Sequence, residues 1–218
     1  WPASGIIPAV SGLQVGVVTQ IENDPLSEDR VLVKIPMADA EADGVWARQA
    51  LLDAGKERGS FFRPEVGDEV ILGFINDDPR HPVILGMLNS SALPAIMPAK
   101  NVNHEKGFVT REKLTLWFND EKKIIKIATP GKNSLTLDDD AGKIILKDQH
   151  NNEITMSEEG IMIKSAKDIK LEAASGKLAL SSNELEAKAN SSAKISGSSA
   201  EMSASGTTTV KGSMVQIN

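Results

Sequence analysis

Cysteine is absent from the 218 residues, which removes disulfide frameworks, thiolate catalysis and every cysteine-based zinc site, and leaves the redox compartment open. No stretch approaches the roughly 18 to 20 consecutive apolar residues of a membrane-crossing helix, and Trp1-Pro2-Ala3 offers neither a charged n-region nor an apolar h-region. Basic charge is in deficit. Twenty-four Lys and Arg face 30 Asp and Glu, for a net charge of −6 and a pI near 5.2, against the basic footprint that phosphate neutralisation demands. Nucleic acid is therefore not an expected partner. The three histidines, His81, His104 and His150, stand apart from one another, and there is no GxSxG, Walker or HExxH sequence, so neither an enzyme nor a cofactor is expected. The chain begins with Trp rather than Met, which favours a fragment of a longer protein.

The residues that are present are unevenly distributed. All eight aromatics lie at or before Phe118 and all ten prolines at or before Pro130, after which Ser, Ala, Lys and Gly dominate. With 40% hydrophobic residues, the length suits one or two domains. Residues 13–21 (LQVGVVTQI) and 30–35 (RVLVKI) are β-branched runs separated by turn-forming Asn23-Asp24-Pro25 and Ser27-Glu28-Asp29, a hairpin pattern. Further short strands are expected at 45–48, 59–62, 69–75 and 82–88, and helical turns at 38–44 and 51–58. So many short strands in residues 1–91 fit a small barrel. The two prolines of 92–100 stiffen the start of a linker spanning 92–110.

Beyond the linker, apolar and polar residues alternate at 113–118, 123–128, 134–137, 143–147 and 153–156, each run ended by Gly, Asn or Asp. From residue 153 the chain also stacks in eights, EITMSEEG, IMIKSAKD, IKLEAASG, KLALSSNE and onward, with an aliphatic pair and a small or polar corner in most copies. Composition alone would mark such a tail as a linker. Periodicity argues otherwise, yet one or two aliphatics per octad cannot build a core within one chain. Several chains must share it. Three octads, one from each of three chains, would form a triangular turn without a long free edge. Residues 111–218 are thus expected to form an intertwined homotrimeric β-helix whose axis is lined by Ile125, Ile127, Ile161, Ile163, Ile169 and Leu171.

Several residues invite other chemistry. Asp138-Asp139-Asp140 lacks EF-hand ligand spacing and reads as a solvated turn, and His81 sits in the Pro-flanked turn DPRHP. Trp46 and Phe61-Phe62 have the character of a base or sugar platform, but the expectation is that they fill the barrel or a seam between subunits. Lys164, Lys167, Lys170 and Lys177 are interleaved with acidic residues, as on a solvated prism face.

The run GSFFRPEVGDEV at 59–70, with GFINDDP at 73–79 and PVILG at 82–86, resembles the oligomer-binding-fold (OB) domain of VgrG-type spike proteins of type VI secretion systems and of phage baseplate spikes. GFVTR at 107–111, TPG at 129–131, NSLTL at 133–137, GIMIKS at 160–165 and VKG at 210–212 are similar to the trimeric β-helix that follows it in that family. The resemblance implies an all-β protein, an OB barrel followed by a triangular prism, that pierces a membrane when a contractile apparatus drives it. It implies bacterial cytoplasm before firing and release outside afterwards, or a place in a phage tail. It also implies a hub or tail-tube protein on the N-terminal side. A PAAR-type tip protein is expected at the C-terminal end, on Met214, Val215, Gln216, Ile217 and Asn218. The His-x-His metal apex of some phage spikes has no counterpart here, so no metal is carried over. A trimeric fibre or adhesin, and an OB-fold ligand-binding domain on a stalk, remain as alternative readings.

Overall fold

The computed structural model describes residues 8–36 and 43–216. Five strands close a barrel in the order β1 (Gln14–Gln20), β2 (Val31–Lys34), β3 (Val45–Gln49), β7 (Pro82–Leu88) and β6 (Glu69–Phe74). Every pairing is antiparallel except β3 with β7, whose parallel contact shuts the cylinder. Alternation sends Val18, Val31, Val33, Ala47, Val70, Leu72 and Ile84 inward, where they form a closely packed core. Gly16 belongs to the same interior, and a Cβ there would lie 2.4 Å from Val33 Cγ1, so only glycine lets β1 pass this close.

Between β1 and β2 the chain is tied by one carboxylate. Asp24 accepts hydrogen bonds from the backbone N–H groups of Leu26, Glu28 and Arg30 and from the Arg30 guanidinium, at 2.6 Å for Nη2. That guanidinium, helped by the backbone donors, holds the Asp24 carboxyl well below its ordinary range despite the opposing effect of burial.

Two expectations for this region fail. Residues 51–58 hold no helical turn; β4 (Ala54–Gly55) and β5 (Arg58–Gly59) make a small ribbon there, stapled by Arg58 to Asp53 at 3.0 Å. Nor does a strand run from 59 to 62, because β5 ends at Gly59 and the chain continues without ladder partners. Residues 38–42 of the other expected helical turn lie outside the described residues.

The second layer is a meander of seven antiparallel strands: β8 (Glu105–Val109), β9 (Thr115–Asn119), β10 (Ile124–Ala128), β11 (Ser134–Asp138), β12 (Lys143–Lys147), β13 (Glu153–Ser157) and β14 (Gly160–Lys164). β8 starts inside the stretch expected to be linker. The meander repeats every nineteen residues. Lys113, Lys132 and Asn151 take the same left-handed φ of 62°, 67° and 66°, and each donates its N–H to the carbonyl three residues before it, at Thr110, Thr129 and Asp148. Side chains brace these turns. Thr110 Oγ1 accepts the Leu114 N–H, and Asp148 accepts those of His150 and Asn152.

The octads at 153–164 do not turn between chains. EITMSEEG supplies β13 and the turn, and the next octad completes β14, so the two pair with each other in one chain. Gly160, at φ 115°, permits that short reversal. Residues 167–218 cluster separately, and among their described residues, 167–216, no strand forms within the chain and every side chain is exposed.

Candidate functional site: an uncovered apolar sheet face

Directly opposed residues of an antiparallel pair share a face, so the register of the meander sorts its side chains into two surfaces. One rung runs Lys106, Phe118, Ile125, Leu137, Ile144, Met156, Ile161, and the next rung on that face runs Phe108, Leu116, Ile127, Leu135, Leu146, Ile154, Ile163. Apart from Lys106 at the β8 edge, every member is apolar. The opposite surface mixes Trp117, Lys126, Thr136, Ile145, Thr155 and Met162 with the polar residues at the strand ends.

Except at Phe108, on which Phe62 of the barrel stacks, the apolar face is uncovered in the single chain. Ile125 and Ile127 are 40% and 50% exposed, and Ile161 and Ile163, farther from the barrel in sequence, 69% and 57%. An exposed apolar sheet surface marks a place where a protein meets a partner, a ligand or a membrane. The sequence reading named Ile125, Ile127, Ile161 and Ile163, and the structure brings these onto this face. It missed the partners between them, Leu135 and Leu137, Ile144 and Leu146, Ile154 and Met156, although each pair alternates in its strand at a spacing visible in the sequence. Ile169 and Leu171 lie beyond the sheet, exposed and in no strand. Met214, Val215 and Gln216 are exposed as well; Ile217 and Asn218 fall outside the described residues.

Barrel and meander meet at a small junction. Phe62 stacks on Phe108 with ring centroids 5.4 Å apart and planes 20° from parallel, and Arg111 reaches Glu65 at 2.8 Å. Arg63 covers the Phe61 ring at 4.8 Å and ion-pairs with Asp29. The barrel interior holds none of the aromatics assigned to it: Phe61 and Phe62 are exposed, and Trp46 points away from the core because its neighbour Ala47 points into it.

The other candidates have structural partners. His81 Nδ1 lies 3.5 Å from Asp78, whose carboxyl the Arg80 guanidinium and backbone N–H hold well below its usual range. Asp138 accepts the Ala141 N–H and closes its own turn, and among the described residues no group of His, Asp or Glu is placed to hold a metal. A cleft of about 500 Å³ lies beside β8 and β9, bordered by Ile96, Met97, Val102, His104 and Trp117. Glu105 tethers both the Trp117 indole and, at 2.6 Å, the Asn119 amide there.

A five-stranded barrel followed by a meander with one bare apolar face is matched on both parts by known families. Residues 14–88 match the type VI secretion system/phage-baseplate injector OB domain, and residues 124–218 the phage baseplate V C-terminal trimerisation domain. The chain belongs to the injector-spike family of type VI secretion systems and phage baseplates. Among curated members, it is 35% identical over 86 residues to the type VI secretion system spike protein VgrG3 of Vibrio cholerae, covering 36% of this chain and 8% of that protein. It is 30% identical over 102 residues to the spike protein VgrG1a of Pseudomonas aeruginosa, covering 43% of this chain and 16% of the relative. The chain thus matches only a small part of the length of these spike proteins. For this spike-family chain, the match of residues 124–218 to a trimerisation domain supports a homotrimer.

Proposed function

We propose that the chain is the rigid trimeric shaft, with its barrel collar, of a contractile injection apparatus, and that it punctures a membrane by mechanical load rather than by catalysis. The observation that carries this reading is the continuous apolar face of β8–β14, followed by an extension whose aliphatics recur although no strand forms within the chain.

Dimensions select the arrangement. Strands of five residues make a sheet about 17 Å wide, and three such sheets closing a triangle set each face about 5 Å from the axis, half the ~10 Å spacing of packed sheets. Closure along the other direction, seven strands or about 29 Å, would set each face about 8 Å away and leave a hollow. The axis therefore runs across the strands, with the two apolar rungs of each chain meeting around it. In that arrangement Ile125, Ile127, Ile161 and Ile163 are core residues.

Along residues 167–218 the three chains wind together, so that strands absent among the described residues of one chain form between chains, with Ile169 and Leu171 in their shared interior. An axial load is then spread over many ladder hydrogen bonds and one shared core. The family implies export from a bacterium or a place in a phage tail, with a hub or tube protein on the barrel side.

Met214 to Asn218 return to apolar-polar alternation after a polar run, a pattern suited to backbone pairing with a PAAR-type tip protein. Deleting these five residues tests the tip assignment. The expected result is an intact trimer that no longer retains the tip protein in a pull-down; retention would place the tip elsewhere.

A further inference from the structure

The meander has two rows of turns, one at each end of its strands, and they differ in charge. The first row comprises residues 110–113, 129–132 and 148–151, joining β8 to β9, β10 to β11 and β12 to β13. The second comprises 120–123, 139–142 and 158–159, joining the alternate pairs. In the first row, Arg111 and Lys113 outweigh Glu112, Lys132 is the sole charge of its turn, and the third turn carries Asp148 with His150. In the second row, Lys122 and Lys123 offset Asp120 and Glu121 nearest the barrel, but the lower turns carry Asp139, Asp140, Glu158 and Glu159. These four acids, and Lys113 and Lys132, are exposed and make no ion pair among the described residues.

We propose that these rows are complementary seams: the basic row of one chain seats against the acidic row of the next copy and fixes the direction in which the trimer closes. The inference rests on the trimeric shaft proposed above. With the axis running across the strands, each sheet meets its neighbours along its turn rows. A cyclic trimer is heterologous, so each contact joins two different surfaces, first row to second row, at all three corners. The rows are also offset by one strand, so a first-row turn falls level with the gap between two turns of the neighbour's second row. Lys132 then sits between the neighbour's 120–123 and 139–142 turns. An isologous pairing of two chains would instead set Asp139 and Asp140 against their own copies, and like charges in contact oppose it. The apolar face supplies the adhesion, and the seams supply direction and encounter rate.

The test uses the full chain in three forms. K113D/K132D reverses the first row, with Asp chosen because it tolerates the left-handed backbone of both positions. D139K/D140K reverses the second row, and the third form combines all four changes. Each is refolded by dilution at low salt and again near 0.15 M salt, and trimer formation is followed by light scattering. Each single-row variant should assemble about tenfold more slowly than wild type at low salt, the gap should narrow with added salt, and the combined variant should return toward the wild-type rate. Trimers that form at unchanged rates in the single-row variants, or a combined variant slower than either, would overturn the seam while leaving the shaft intact. A wild-type chain that stays monomeric would overturn the shaft and the seam together.

Discussion

Phe62 of the barrel stacks on Phe108 of the meander at 5.4 Å, and 2.8 Å separate the Arg111 guanidinium from the Glu65 carboxylate beside it. These two contacts tie the collar to the first strand of the shaft. An aromatic pair contributes about 0.5–1.5 kcal/mol beyond its area, whereas an exposed ion pair contributes less than about 1 kcal/mol. The stack is therefore the stronger tie. Phe62→Ala should lower the free energy of unfolding by about 1–2 kcal/mol in denaturant melts while the oligomeric mass stays unchanged, and Arg111→Ala should have the smaller effect.

The two faces of the meander predict opposite outcomes for the same kind of change. Ile163→Asp places a carboxylate on the apolar face, and three copies around one axis should prevent trimer formation, since unpaired buried charges cost several kcal/mol each. Lys126→Glu, on the opposite surface, should leave the trimer mass and melting temperature nearly unchanged. Equal effects from the two substitutions, read by sedimentation and thermal melts, would remove the distinction between the faces.

Much of this was legible from alternation alone. The barrel hairpin, the runs at 123–128, 134–137 and 143–147 that meet β10, β11 and β12, and the apolar identity of Ile125, Ile127, Ile161 and Ile163 all follow from period-two patterning. β8 escaped because Glu105, Lys106 and Gly107 blunt its alternation, and its place in the sheet is set by pairing with β9. The octads misled at 153–164 because an eight-residue period lies close to the seven-residue spacing of a five-residue strand plus a two-residue turn, and strand pairing within one chain closes the shorter loop. A nineteen-residue comparison would have aligned Thr110, Thr129 and Asp148 and exposed the hairpin unit directly. Of the two places expected for Phe61 and Phe62, the barrel interior or a seam between subunits, the interior is filled by Val, Leu, Ile and Ala instead.

The extension supplies a third expectation. Lys170, Lys177, Lys188 and Lys194 lie in a stretch of exposed residues without strands, a ready trypsin substrate in a lone chain. The proposed shaft pairs their backbones with other chains, so native digestion should spare the region after residue 166 for as long as the trimer persists. Prompt cleavage there would restore a linker.

Acid should weaken the barrel at the β1–β2 connection. The Asp24 carboxyl is held below its ordinary range by Arg30 and the backbone donors around it, so its contribution to stability is complete above the unfolded-state value near 4 and is lost as pH falls below it. Asp24→Asn should lower the melting temperature at neutral pH and flatten its dependence on pH below about 4. A parallel pH profile for the two proteins would place the acid-sensitive group elsewhere.

The central claim is that the apolar face and the extension are completed only by further copies of the chain, and the native mass of the purified protein tests it most directly. Light scattering at micromolar concentration should return three times the chain mass of 23.3 kDa, held on dilution. A particle of 23.3 kDa that keeps its thermal stability would contradict the account.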